Sequence, residues 1–82
     1  METPYFIWDY DLNENQIRAI LRGDNETEKL WLMTRIMTHA KFEDIWKYIG
    51  IEEIVKAFSK LRLPPRTKQS WKHALNVWGY HV

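Results

Sequence analysis

The chain has 82 residues, 12 basic against 11 acidic side chains, a formal net charge of +1 and no cysteine. That length bounds it to one domain close to the lower limit for folding alone, with an expected radius of gyration of about 12 Å. Without cysteine, disulfide staples and thiolate metal sites are excluded and a reducing cytoplasm is the expected setting; an acidic start and the lack of any apolar run near the roughly 20 residues that span a bilayer argue against secretion or membrane spanning.

In chain order, the first segment, residues 1–11, is too short and aromatic between Tyr5 and Tyr10 to assign by period. It reads as an extended arm laid across helices, with Phe6 and Trp8 as anchors. Asn13 followed by Gln16, and Asn25 followed by Glu28, are capping-box signatures that mark two helix starts. The first helix covers about 14–22, with Ile17, Ile20 and Leu21 on one stripe, and stops at Gly23. The second, about 26–39, carries Leu30, Leu32, Met33, Ile36 and Met37 around more than half its circumference, as expected of a central helix. Phe42, Ile45, Trp46 and Ile49 form the stripe of a third helix over 42–49, ended by Gly50, which accepts a left-handed terminus without penalty. Ile51, Ile54, Val55, Phe58 and Leu61 predict a fourth over 51–61. Leu63-Pro64-Pro65 interrupts the pattern, and a fifth helix over 66–78 buries Trp71, Ala74, Leu75 and Trp78. The expected fold is all-α, a compact single-domain bundle of about five short helices with an extended aromatic N-terminal arm.

Five tryptophans fall one or two to a segment, at Trp8, Trp31, Trp46, Trp71 and Trp78. Helical periodicity and the arm reading point four of them at a shared interior, where each would remove roughly 150–250 Å² from water. Trp31 is the exception. It lies on the polar side of the second helix beside Thr34, Arg35 and Thr38, and either forms part of a contact surface or packs under the arm.

Candidate chemistry is sparse. Asp9-Tyr10-Asp11 has the spacing of a divalent-ion pair, but no third carboxylate or phosphate cradle accompanies it, and negative charge near a helix N-terminus explains it more simply. His39, His73 and His81 lie in different segments without a ligand motif. Ser59 and Ser70 belong to helical patterns, and the three glycines read as helix stops rather than a phosphate loop. The sequence therefore predicts a non-enzymatic chain with no metal and no cofactor.

Charge is distributed unevenly. Residues 1–28 hold seven acids against two bases, whereas from Ile54 onward there are six bases and no acid. The basic group around Pro64-Pro65, namely Lys60, Arg62, Arg66, Lys68 and Lys72, forms with Trp31 and Arg35 the candidate partner-binding set. Residues 42–58 also have the helix, glycine turn and helix order of a DNA-reading motif. The first turn of its second helix, however, offers Glu52 and Glu53, which a polyanion repels.

Phe6-Ile7-Trp8-Asp9-Tyr10-Asp11, a helix ending in glycine, the Leu30-Trp31-Leu32 helix, Trp46-Lys47-Tyr48-Ile49-Gly50 with Ile54-Val55 after it, and Leu61-Arg62-Leu63-Pro64-Pro65-Arg66-Thr67 before a tryptophan-bearing last helix together span nearly the whole chain. This order of spaced aromatics resembles a family of small prokaryotic proteins encoded beside nucleotidyltransferase toxins and presumed to be their antitoxins. Pro64-Pro65 departs from the family pattern, which has a serine-like cap at that place. The resemblance implies a cytoplasmic module that binds and restrains a partner nucleotidyltransferase-type toxin. The alternative is a small helix-turn-helix-like DNA-binding regulator.

Overall fold

Asn13 sets the first helix boundary in the computed structural model, which describes residues 4–82. Its side chain accepts from the Gln16 backbone N–H at 2.9 Å and Gln16 returns the contact to the Asn13 N–H at 2.8 Å, so two orphan donors are satisfied at once. Helix α1 spans Glu14–Arg22. Helix α2, Glu26–His39, starts in the same manner, with Asn25 accepting from the Glu28 N–H at 3.0 Å. The remaining helices are α3, Phe42–Ile45, α4, Ile51–Ala57, and α5, Pro65–Val77. The fold is all-α. Its radius of gyration is 12.5 Å.

The aromatic N-terminal segment is in place, wound at Tyr5–Ile7 into one 3₁₀ turn, with Pro4 extended ahead of it. Residues 1–3 of the expected arm lie outside the described residues. Phe6 anchors the turn as expected, at 1% exposure. Its partner is Ile7, wholly buried, rather than Trp8, which is 63% exposed. A 3₁₀ turn advances about a third of a circle per residue, so consecutive Phe6 and Ile7 reach the core and the next side chain swings out.

Two further helices differ from their periodicity. The third is a single turn ending at Ile45, four residues short of the expected Ile49, because the chain passes into a turn over Trp46–Tyr48. Ile49 is nevertheless buried, placed by its N–H bond to the Ile45 carbonyl at 3.0 Å. The fourth stops at Ala57 and tightens into a 3₁₀ turn over Phe58–Lys60. Gly50 is not left-handed: its φ of −83° is an ordinary extended value ahead of α4. The left-handed position is Gly79, with φ 95°. There the Gly79 N–H donates to the Asn76 carbonyl and the Tyr80 N–H to the Leu75 carbonyl, the paired bonds of a Schellman stop.

The core is aliphatic. Among the described residues thirteen buried side chains are Ile, Leu or Met, joined by Phe6, Phe58 and Trp71, and no buried residue is polar or charged. Leu32, Met33, Ile36 and Met37 form the continuous stripe on α2 that this core is built around. Of the four tryptophans expected inside, only Trp71 is buried, at 7%, while Trp8, Trp46 and Trp78 are 63%, 37% and 42% exposed. An indole entering a dry interior must bring its N–H to an acceptor. Trp71 does so by donating Nε1–H to the Met37 carbonyl at 3.4 Å, a carbonyl in the last turn of α2 where helical acceptors go unused.

Replacing Ile7 by Ala removes a fully buried side chain and is expected to cost about 2–5 kcal/mol. Replacing exposed Trp8 by Ala costs about 1 kcal/mol or less, the worth of its surface cation–π contact. Urea denaturation of the two variants checks this, and a larger loss for Trp8→Ala would restore the indole as the anchor.

Candidate protein-binding surface

Trp31 stands on the outward side of α2, half-buried, with its ring edge-on to Tyr10 at 4.9 Å between centroids. The N-terminal segment therefore covers one edge of the indole, the core lies against it from within, and only part of the ring reaches solvent. Two shallow grooves share Trp31 and Thr27 as a common wall. The first, of about 550 Å³, is completed by Leu30, Thr34, Lys60 and Arg62. The second, of about 730 Å³, runs over Tyr10, Leu12 and Ile20 and carries Asp11 and Glu28. The indole is thus a ridge with a basic wall on one side and an acidic wall on the other.

Local structure explains both basic residues. Leu61 and Leu63 are buried at either side of Arg62 in an extended stretch, and side chains alternate in extended backbone, so Arg62 is turned outward. Lys60 closes the 3₁₀ turn after α4, and its Nζ donates to Glu26 Oε1 at 2.8 Å, drawing that turn to the start of α2. This bond, followed by the lysine's charge, holds the Glu26 carboxyl below the usual carboxylate range. Both side chains are exposed, and such pairs contribute little to stability. A partner carboxylate can therefore compete for Lys60 at small cost.

The structure gathers Trp31, Lys60 and Arg62 from the candidate set around one groove. Arg35 is committed inside the molecule. Its Nε donates to the Phe6 carbonyl at 3.2 Å, a terminal nitrogen pairs with Asp9, and the guanidinium lies over the rings of Trp8 at 4.6 Å and Tyr10 at 5.5 Å. It clamps the N-terminal turn to α2. Arg66, Lys68 and Lys72 are exposed on α5, do not line the Trp31 groove, and with Arg62 form no ion pair among the described residues.

The two aspartates of Asp9-Tyr10-Asp11 part company, Asp9 turning to Arg35 and Asp11 to the acidic groove. Among the described residues no three metal-ligating side chains come together. All three histidines are exposed, and His39 packs edge-on against Trp8 at 5.2 Å. Among the described residues no helix is long and apolar enough to cross a membrane.

A second surface escaped the periodicity argument. Phe42, Trp46 and Trp78 meet at the rim of α3 and the end of α5, with centroids 5.4 to 6.1 Å apart, and buried Trp71 lies against Phe42 and Trp46. The signal available in the sequence was volume: a domain this small buries a limited interior, so five indoles and three phenylalanines could not all enter it.

The N-terminal turn is also pinned to α3. The Tyr5 hydroxyl donates to Asp44 Oδ2 and accepts from the Lys41 backbone N–H, both at 2.6 Å. The Tyr5 hydroxyl, and after it Lys47, hold Asp44 below the usual aspartate range. Desolvation, and then the bond to Asp44, raise the Tyr5 hydroxyl above the ordinary phenol value. Compared with family models, with curated proteins and with solved structures, the chain matches none.

A depressed carboxyl stabilises the fold above the ordinary carboxylate range and loses that contribution as pH falls through its folded value; a raised phenol stabilises below the ordinary phenol range and loses it as pH rises through its folded value. Tyr5→Phe removes the alkaline linkage and the largest part of the acid one, Lys47 still holding Asp44 down. Thermal melts across pH should show the variant less stable at neutrality, with shallower losses toward acid and toward alkali. Curves parallel to the wild type would show that the contact is not coupled to titration.

Proposed function

We propose that this chain is a non-enzymatic protein-interaction module of antitoxin type, which binds and restrains a partner nucleotidyltransferase-type toxin in the cytoplasm. The observation that carries the reading is the half-buried Trp31 ridge between the Lys60–Arg62 wall and the Asp11–Glu28 wall. An indole already held by Tyr10 and by the core loses little freedom on binding, and tryptophan and arginine are the side chains in which interface energy concentrates. A nucleotidyltransferase cleft joins acidic metal ligands to a basic phosphate-binding region. A ridge flanked by bases on one side and acids on the other is complementary to both halves of such a cleft.

The observation favouring the DNA-binding alternative is that Arg62, Arg66, Lys68 and Lys72 form no ion pair among the described residues. Against it, α3 is a single turn, α4 has seven residues, and Glu52 and Glu53 are exposed in the first turn of α4. A recognition helix needs donors in that turn.

Co-expression with the product of the adjacent reading frame, followed by titration of the purified partner, tests the reading. Trp31→Ala should weaken the complex by about 30-fold or more, the scale of an interface hot spot. Charge reversal of Lys60 and Arg62 together should weaken it further. No complex, or one indifferent to Trp31→Ala, overturns the assignment. Binding to duplex DNA that falls steeply with salt would favour the regulator instead.

A further inference from the structure

We infer that the outward face of α5 is a duplex-DNA contact, a second binding surface in addition to the Trp31 ridge. The helix turns Trp71 and Leu75 into the core. At about 100° per residue, Arg66, Gln69, His73 and Asn76, spaced i, i+3, i+7 and i+10, fall on the side turned away from that core. Lys68 and Lys72, four apart, form one shoulder of the stripe. All six side chains are exposed, and none forms an ion pair or a side-chain hydrogen bond among the described residues.

Charge and side-chain chemistry select the occupant. From Ile54 onward the chain has no acid, so α5 and the stretch leading into it carry no carboxylate to repel a phosphate backbone. Helix α2 meets α5 at its last turn, where Trp71 bonds to the Met37 carbonyl, while its acids Glu26 and Glu28 stand in its first. Helix α3 shares a groove with Ser70, Trp71 and Ala74, on the other side of Trp71 from Lys68 and Lys72. Its Asp44 is already bonded to Tyr5 and Lys47. An acidic protein asks only for cations, yet three of the four stripe residues are Gln69, His73 and Asn76. Their chemistry fits base edges: Gln and Asn amides pair bidentately with adenine, and Arg66 with guanine, in the major groove. The two shoulder lysines suit phosphates at the edge of that groove. With 13 residues α5 is about 20 Å long, and the major groove, about 12 Å wide, admits a helix. Helix α4 lacks these properties, having seven residues with Glu52 and Glu53 in its first turn, whereas the first turn of α5 has no acid.

This surface uses no residue of the Trp31 groove, so DNA contact and partner restraint can each fail alone. The experiment is fluorescence anisotropy of the full chain with a labelled random-sequence duplex at rising salt, followed by enrichment of a preferred sequence from a randomised duplex library. The expected result is binding at about 50 mM salt that falls linearly, log against log, as salt rises. Lys68→Ala with Lys72→Ala weakens every sequence alike and lowers the salt slope by about 2. Gln69→Ala with Asn76→Ala keeps the random-duplex affinity and costs the enriched sequence about tenfold or more. Trp31→Ala changes none of these, and the α5 variants, altered only at exposed positions, keep the helical circular dichroism of the wild type. The inference is overturned by absence of duplex binding at that salt, an unchanged slope in the lysine variant, equal affinity for single-stranded DNA, or no enriched sequence. It is equally overturned by α5 variants that lose a protein partner and not DNA.

Discussion

The last turn of α2 governs how the rest of the molecule is arranged. Past His39 the helix stops, the Lys41 N–H goes to the Tyr5 hydroxyl, and the Met37 carbonyl is left for the indole of Trp71. One tryptophan thereby enters the interior with its N–H satisfied, from α5, which begins at Pro65, far along the chain from the end of α2 at His39. Everything else in the centre of the described residues is apolar, the Ile, Leu and Met stripes with Phe6 and Phe58, side chains that need no partner. The remaining indoles stay at the boundary.

That boundary position gives the surface its two characters. Around Trp31, Lys60 and Arg62 lie on one side of the ring and Asp11 and Glu28 on the other. Around Trp46 and Trp78 the rings are neutral and contiguous with Phe42. The Arg35 clamp links the two: by fixing the N-terminal turn through Phe6, Trp8, Asp9 and Tyr10 it sets the Tyr10 edge against Trp31, and the same turn reaches α3 through Tyr5.

Local signals in the sequence were reliable where the chemistry is local. Asn13 and Asn25 place the starts of α1 and α2, because a cap depends on residues three apart and nothing else. The stripe on α2 was equally plain. Periodicity misled where volume and partners decide: it assigned Trp46 and Trp78 inward because they fall in phase with Ile45 and Leu75, without counting how many rings the interior can hold. It also ran α3 on to Ile49, since the turn at Trp46–Tyr48 keeps Ile49 buried and so preserves the apolar spacing of a helix. Of the candidate site, Lys60 and Arg62 could be named as basic residues, but their meeting with Trp31 depends on a tertiary contact, the Lys60–Glu26 bond, 34 positions apart in the chain. Periodicity places Arg35 on the polar side of α2, a face that the N-terminal turn covers.

The central claim is that a single indole is enclosed while the other four keep contact with water. Incorporation of 5-fluorotryptophan gives one ¹⁹F resonance for each of the five tryptophans, assigned by single substitution, and the shift of each on exchanging H₂O for D₂O reports its access to solvent. The account predicts a negligible shift for Trp71, the largest for Trp8, and intermediate shifts for Trp31, Trp46 and Trp78. Negligible shifts at Trp8, Trp46 and Trp78 together with Trp71 would put the indoles back at the centre and contradict it.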